Sequence, residues 1–160
     1  MSIPRIYLET TVFNFPFADD APEYKQDTLD LFAAIEAGKF EAYTSEYVIQ
    51  ELRNDKDDKH RQDMLNLIQK HTIVVLPINE KAKYLSDIYI ANNAIKATYP
   101  TDAVHIAMTA VSGLDFIVSL NFQHIVKQKT IVETGRINAQ EGYRRVGIYT
   151  PKEALEHENG

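Results

Sequence analysis

Phe116-Ile117-Val118-Ser119-Leu120-Asn121 is a short apolar run that ends in an amide side chain. Ile3 to Leu8 ends in a second apolar run, Ile6-Tyr7-Leu8, and Glu9 follows it directly. Short apolar runs are typical of strands buried on both faces, as in parallel sheets that are covered by helices. Both runs are therefore predicted to be strands of one such sheet, each with a polar side chain close to its carboxyl end.

Strand patterns and helical patterns alternate along the rest of the chain. This alternation predicts an α/β protein of three layers, α/β/α, with a central parallel sheet of four or five strands. Residues 1–160 are expected to form a single domain, with residues 157–160 as a disordered tail. The other expected strands are Phe40–Tyr43, Thr72–Leu76 and Val146–Tyr149. The expected helices are Gln26–Ala37, one that Thr44 or Ser45 caps and that runs to about Arg53, Arg61–Lys70, Glu80–Ile95, one from Asp102 to Val111, two pieces within Phe122–Gly142, and Pro151–Leu155.

Composition excludes several classes of protein. The chain has 160 residues and no cysteine, so disulfides, thiolate zinc sites and cysteine nucleophiles are excluded. No apolar run approaches the ~20 residues that span a bilayer, and no signal-peptide pattern precedes the first strand, so we expect a cytoplasmic protein with no membrane partner. Only six glycines are present and none forms a phosphate-binding loop, which argues against a nucleotide-binding loop protein.

The charge is distributed unevenly. Residues 121–152 contain six basic and two acidic side chains, a charge of +4, so the remainder carries −10 of the formal net charge of −6. A basic segment beside an acidic site is suited to holding a phosphate backbone. A solvated basic surface explains the same pattern, and both interpretations are open.

Four polar side chains stand where apolar segments end or begin: Glu9, Glu51, Asp102 and Asn121. In an open α/β sheet, strand ends and helix starts converge on one edge, where ligands bind. Three carboxylates in one cleft repel each other, and a hard cation such as Mg²⁺ or Mn²⁺ relieves that repulsion. The pattern indicates metal-assisted chemistry on phosphates. Helix capping by Glu9, Asp102 and Asn121 and a solvated position for Glu51 are the structural alternatives.

The helix that begins at Asp102 is apolar around most of its circumference. At 100° per residue, its polar side chains Asp102, His105, Thr109 and Ser112 fall within roughly 80° of one another. A narrow polar stripe on a buried helix must face something polar, so its first turn is predicted to line a site. His105 is expected to be a core histidine bonded to backbone rather than a metal ligand.

Four segments together resemble the PIN domain, as found in VapC-type toxins of toxin–antitoxin pairs. The resemblance implies an endoribonuclease that depends on Mg²⁺ or Mn²⁺, with Glu9, Glu51 and Asp102 as catalytic metal ligands. It also implies Asn121 as a further candidate ligand, Thr11 and Ser119 as orienting hydroxyls, an RNA substrate, a protein antitoxin and a homodimer. The segments are Ile6–Val12, Ser45–Leu52, Thr101–Ala107 and Val118–Ile125.

Two positions depart from the family pattern. Glu9 stands where the family usually has aspartate, and Asn121 stands in place of an acid, which removes a unit of negative charge. These departures leave open a PIN-fold RNA-binding or scaffold protein with a degraded active site. An unrelated metal-dependent phosphohydrolase acting on small phosphoesters is a third alternative. The aromatic segment Phe13–Phe17 is predicted to be an irregular loop, and its rings either pack the core or form an interface.

Overall fold

The protein is an α/β structure with one parallel five-stranded sheet, which confirms the predicted fold class. The computed structural model describes residues 2–158. Within that range the strands are β1 (Arg5–Leu8), β2 (Glu41–Ser45), β3 (Val74–Leu76), β4 (Phe116–Val118) and β5 (Gly147–Tyr149). They are hydrogen-bonded in the order β3-β2-β1-β4-β5, and every neighbouring pair is parallel.

The connections place helices on both faces of the sheet. From β1 through β2 to β3 the chain moves toward one edge, and it then returns past β1 to β4 and moves on to β5. Because such crossovers are right-handed, reversing the direction puts the later helices on the opposite face. The helices are α1 (Thr10–Asn14), α2 (Pro22–Glu36), α3 (Glu46–Arg53), α4 (Asp58–Lys70), α5 (Glu80–Ala91), α6 (Pro100–Val111), α7 (Gln128–Gln140) and α8 (Pro151–Leu155). Helix α5 packs on α6 and α7, and α2 packs on α8.

The core lies around the two central strands. Ile6, Leu8, Ile117 and Val118 have no exposed surface. Burying an aliphatic side chain of this size contributes about 1.5–3 kcal/mol relative to leaving it in water. Leu8 pairs with Val118 in the parallel register, so β1 and β4 end side by side.

Residues 10–17 are helical rather than an irregular loop, so the loop prediction was wrong. Glu9 is the N-cap of α1, and its side chain accepts a hydrogen bond from the Thr11 N–H. Pro16 lies within a short 3₁₀ helix, Phe15–Phe17, where a missing N–H donor costs little. Phe13 is fully buried against Phe32, whereas Phe17 is 37% exposed. The aromatic segment therefore contributes to the core at Phe13.

Two helices are shorter than predicted. Helix α5 ends at Ala91 because Asn93 takes a positive φ of 60° and the chain turns back. Within Phe122–Gly142, where two helical pieces were predicted, only α7 is helical. Before it, the Asn121 carbonyl accepts hydrogen bonds from both Ile125 and Val126 and holds the chain in turns. Helix α5 was predicted to reach Ile95 because Ala94 and Ile95, which are buried in the turn after it, continue the helical period.

The folded chain extends two residues beyond the predicted start of the tail. His157 stacks on Tyr149 with ring centroids 4.3 Å apart, and Glu158 pairs with Lys39 at 3.2 Å. Residues 159–160 of the predicted tail lie outside the described residues. Across residues 2–158, no helix has the length and apolar character needed to cross a bilayer.

Candidate active site

The candidate site lies at the carboxyl ends of β1 and β4. The order of the sheet reverses between these strands, and in open α/β sheets such a switch point forms the crevice in which ligands bind. Glu9 follows β1 and Ser119 follows β4. Because Leu8 and Val118 are register partners, these two polar side chains emerge next to each other.

Glu9 is held by the two hydroxyls that were predicted to support it. Its carboxylate is 2% exposed, and its Oε1 accepts from Thr11 Oγ1 at 2.5 Å, Ser119 Oγ at 2.7 Å and the Thr11 N–H at 3.2 Å. Thr11 Oγ1 accepts in turn from the Leu120 N–H, and Ser119 Oγ accepts from the Asn121 N–H. Glu9 thus caps α1, as the capping interpretation predicted, and it lies at the carboxyl end of β1, at the switch point of the sheet.

Glu51 reaches the crevice from α3. Its Oε1 accepts hydrogen bonds from Thr10 Oγ1 and His105 Nε2, each at 2.6 Å. The side chain is 35% exposed, so one part faces solvent while the other is bonded inside the fold. Glu51 is therefore tied to two elements, α1 and α6, rather than lying on a solvated flank.

His105 is fully buried, as predicted, but its partners are not backbone groups, so that part of the prediction was wrong. Its Nε2 bonds Glu51, and its Nδ1 lies 2.7 Å from the Tyr7 hydroxyl. The Tyr7 hydroxyl lies 2.7 Å from Ser45 Oγ. Ser45 is the N-cap residue of α3 yet makes no side-chain cap, because its hydroxyl bonds Tyr7 instead. A chain of polar side chains thus crosses from β2 through β1 and α6 to Glu51.

Tyr7 and Ser45 were missed at the sequence level. Tyr7 stands in an apolar strand, where a ring is ordinary core, and nothing in its spacing marks the hydroxyl as bonded to His105. The only available signal was that a fully buried histidine needs partners for two ring nitrogens.

Asp102 lies in the first turn of α6, whose N-cap position is Tyr99 rather than Asp102. Its Oδ2 is 3.0 Å from His124 Nδ1, and its side chain is 14% exposed. His124 also stacks on Tyr99, with ring centroids 3.6 Å apart and an interplanar angle of 25°. Asp102 is therefore oriented by His124, a histidine from the segment after β4. Like Tyr7 and Ser45, His124 is a site residue that the sequence did not single out.

Burial and charge shift the acid–base properties of these groups. Burial raises the pKa of Glu9 and of Asp102, and His105 opposes both rises without cancelling them. Burial also acts to raise the pKa of Glu51, but the hydrogen bond and charge of His105, with Thr10, lower it overall. For His105, burial acts to lower the pKa, whereas Glu51, Glu9 and Asp102 raise it overall. The negative charge of the three carboxylates thus favours the protonated form of the buried imidazole.

The donor set fits a hard divalent cation in kind and in charge, although it is not arranged as a finished coordination shell. Within residues 2–158, no three carboxylate or imidazole groups stand in positions to hold a metal together.

The hydrogen bonds to Glu9 and Glu51 all use Oε1, and the Asp102 pair uses Oδ2. Each carboxylate therefore keeps one oxygen outside these contacts. Among the described residues, only the Tyr47 hydroxyl is a buried side-chain polar group without a hydrogen-bond partner. The second oxygens of Glu9, Glu51 and Asp102 are therefore not buried and unpaired. Oxygen ligands of this type suit Mg²⁺ or Mn²⁺.

Asn121 lies beside the crevice, but its side-chain amide oxygen is already hydrogen-bonded to a backbone N–H. Its Oδ1 accepts from the His124 N–H at 3.0 Å, across the turn that follows β4. This contact agrees with the capping interpretation, except that Asn121 caps a turn rather than a helix. The candidate ligand set consists of Glu9, Glu51 and Asp102 in this arrangement.

Comparison of the sequence with protein-family models returned no match, and comparison with curated proteins returned none. The resemblance to the PIN domain therefore depends on the four sequence segments. The chemistry must be argued from the site itself.

Proposed function

We propose that the protein is a metal-dependent endoribonuclease of the PIN/VapC toxin type. The observation that supports this proposal is the convergence of three carboxylates from separate elements. Glu9 comes from the end of β1, Glu51 from α3 and Asp102 from α6, and the Glu51 carboxylate bonds the buried imidazole of His105, three residues after Asp102 on α6. Carboxylates near a sheet switch point, each with one oxygen outside the contacts described above, are suited to metal-assisted hydrolysis of phosphodiesters. Within residues 2–158 the three groups do not stand together as a ligand set, so a bound cation would have to draw them together.

In the proposed reaction, Glu9, Glu51 and Asp102 would hold Mg²⁺ or Mn²⁺. When bound, the ion supplies a water molecule of lowered pKa and a positive charge for the phosphate. Thr11 and Ser119 fix the Glu9 carboxylate by three hydrogen bonds, so it is preorganised before any ligand arrives. The oxygen of the water would bond to phosphorus as the bond from phosphorus to the leaving ribose oxygen breaks, and a proton from that water would pass through solvent to the leaving oxygen, giving an alcohol and a phosphate monoester.

The test is a cleavage assay on a mixture of structured RNAs with Mg²⁺, Mn²⁺ or EDTA. Asp102→Asn removes the charge of one proposed ligand, and Asp87→Asn makes the same chemical change at an exposed position on α5. Wild type and Asp87→Asn are expected to cut with either metal and not in EDTA, whereas Asp102→Asn is expected to lose at least about 100-fold in rate. Equal cutting by Asp102→Asn and wild type would remove Asp102 from the proposal.

A second candidate is a PIN-fold RNA-binding or scaffold protein with a degraded site. The observation that favours it is that His105 and His124 already pair with Glu51 and Asp102, and that Asn121 uses its amide oxygen in a turn. Calorimetric titration with Mn²⁺ separates the two candidates. RNA binding without Mn²⁺ binding supports the degraded site, and turnover of p-nitrophenyl phosphate without RNA cleavage supports a small-phosphoester hydrolase instead.

The same proposal includes a cytoplasmic location, a homodimer and a protein antitoxin as partners. The acidic protein would then pair with a second copy of itself and be inhibited by the antitoxin. Light scattering at working concentration tests the dimer, and a monomeric mass would remove it. Inhibition of cleavage by the product of a neighbouring gene would support the antitoxin.

A further inference from the structure

A second cavity adjoins the carboxylate crevice. It has a volume of about 120 Å³ and is lined in part by Lys96, His124, Lys127, Lys129 and Thr130. His124 belongs to both places, because its Nδ1 pairs with Asp102 at 3.0 Å while its side chain lines this cavity. A ligand that occupies the cavity would therefore lie next to His124, which pairs with Asp102.

The cavity is surrounded by positive charge that the fold does not neutralise. Lys96, Lys127 and Lys129 are exposed, and none of them forms a salt bridge with another residue in the range 2–158. Two other basic groups of the C-terminal third are paired, Arg136 with Glu133 and Arg144 with Asp115. Three uncompensated cations at one concave site attract an anion. The volume is far above the roughly 10–15 Å³ that one water needs, so a phosphate group can enter.

An aromatic surface stands beside the same cavity. Tyr99 stacks on His124 and is 39% exposed. Proteins that bind single-stranded nucleic acids combine a basic groove for the backbone with aromatic rings on which bases stack. Lysines and an exposed ring, at one point next to a carboxylate crevice, match that combination.

We propose that this cavity binds a backbone phosphate of single-stranded RNA, next to the phosphate that enters the carboxylate crevice. Lys96, Lys127 and Lys129 neutralise the bound phosphate, and Tyr99 stacks on a neighbouring base. The choice of RNA rests on the proposed function. The binding of a phosphate strand depends only on the lysines and the ring.

The test measures binding separately from cleavage. A fluorescent eight-nucleotide single-stranded RNA is titrated with the protein in EDTA, and its anisotropy is followed at several salt concentrations. Lys127→Ala with Lys129→Ala removes two charges from the cavity. Lys39→Ala with Lys70→Ala is the matched control, because Lys39 precedes β2 and Lys70 leads toward β3, at the amino ends of the strands. A second pair, Lys127→Gln with Lys129→Gln, and circular dichroism of all variants guard against misfolding.

Loss of the two cavity lysines is expected to weaken binding by about tenfold or more at low salt, and the control pair by less than about threefold. The slope of log K against log salt should become less negative by about 1.4, since each lost contact to a single strand contributes about 0.7. Tyr99→Ala should cost at least about fivefold, and Tyr99→Phe should retain the affinity.

Several results would overturn the proposal. One is that the wild type does not bind the RNA, and another is that the cavity variant and the control variant bind it with equal affinity. The third is that inorganic pyrophosphate or a glutamate-rich peptide displaces the labelled RNA as well as the unlabelled RNA does. The outcome is distinguishable from that of the cleavage assay. Metal-dependent cutting with no dependence on the lysines would refute only this cavity, whereas lysine-dependent binding without any cutting would refute only the nuclease.

Discussion

His105 Nε2 lies 2.6 Å from Glu51 Oε1, although the two residues are 54 positions apart in the chain. The imidazole has no exposed surface, and it sits on α6 three residues after Asp102. One hydrogen bond thus links the helix that carries Asp102 to the helix that carries Glu51. The relative position of two proposed ligands depends on this buried pair.

Replacing His105 should therefore disturb the site while the proposed metal ligands themselves stay unchanged. His105→Gln is expected to lower both the affinity for Mn²⁺ and the cleavage rate by about 10–100-fold, the usual range for a residue that orients a metal ligand. His71→Gln is the matched control, because His71 pairs with Glu36 at 3.0 Å outside the crevice. Calorimetry with Mn²⁺ gives the affinity. A His105→Gln protein that binds Mn²⁺ as wild type does would show that the pair is only structural.

The hydroxyls around Glu9 should matter for metal binding. Thr11→Val removes a hydroxyl that bonds Glu9 Oε1 while keeping the shape of the side chain. Loss of a partner that orients a metal-binding carboxylate usually costs about 10–100-fold in metal affinity, so Mn²⁺ affinity should fall by about tenfold or more. Thr11→Ser keeps the hydroxyl and should stay within about threefold of wild type. Identical titrations for Thr11→Val and wild type would contradict the assignment.

Metal should stabilise the fold if the carboxylates hold it. At 100 times the dissociation constant, Mn²⁺ should add about 2.7 kcal/mol to the free energy of unfolding, which corresponds to a rise in Tm of roughly 5–10 °C for a chain of this size. Burial raises the pKa of Asp102, and a bound cation relieves the same unfavourable charge. Differential scanning fluorimetry with and without EDTA measures the shift. Asp102→Asn should show little or none, and a full shift in that variant would place the metal elsewhere.

The stability of the α5–α7 contact should depend on pH above 10. Tyr89 is fully buried and donates its hydroxyl to Asn138, and burial raises its pKa even though that hydrogen bond opposes the rise. The stabilisation is complete below the pKa of about 10 for an unfolded tyrosine and is lost as the pH rises through the folded pKa. The unfolded state releases this proton first, so the free energy of unfolding should fall by up to about 1.4 kcal/mol per pH unit.

Tyr89→Phe isolates that contribution. The variant should lose about 1–3 kcal/mol near neutral pH, because it leaves Asn138 Oδ1 unpaired, and its deficit should shrink between pH 10 and 12. Tyr84→Phe, at a position 66% exposed, should show neither effect. Urea unfolding at each pH supplies the values. A deficit that stays constant over this range would mean that Tyr89 ionises equally in both states.

The central part of the fold was predictable because local patterns and tertiary structure agree there. Ile6–Leu8 of β1 and all of β4 are consecutive apolar residues, as burial on both faces of a sheet requires. The polar stripe of α6 pointed to its first turn, where Asp102 and His105 meet the crevice. The helical segment at residues 10–17 was not predictable from periodicity, because a capping side chain and a short 3₁₀ helix decide it.

By itself, the sequence determined which segments are buried strands and helices, and hence that Glu9 and Asp102 come near one edge of a parallel sheet. The reason is that strand burial and helix periodicity are local properties. Only the tertiary structure decided that Glu51 bonds His105, that Tyr7 and Ser45 complete the chain behind it, and that Lys96 shares a cavity with Lys127. These contacts join residues about 30 to 100 positions apart in the chain, and side-chain partners across such distances leave no local signal.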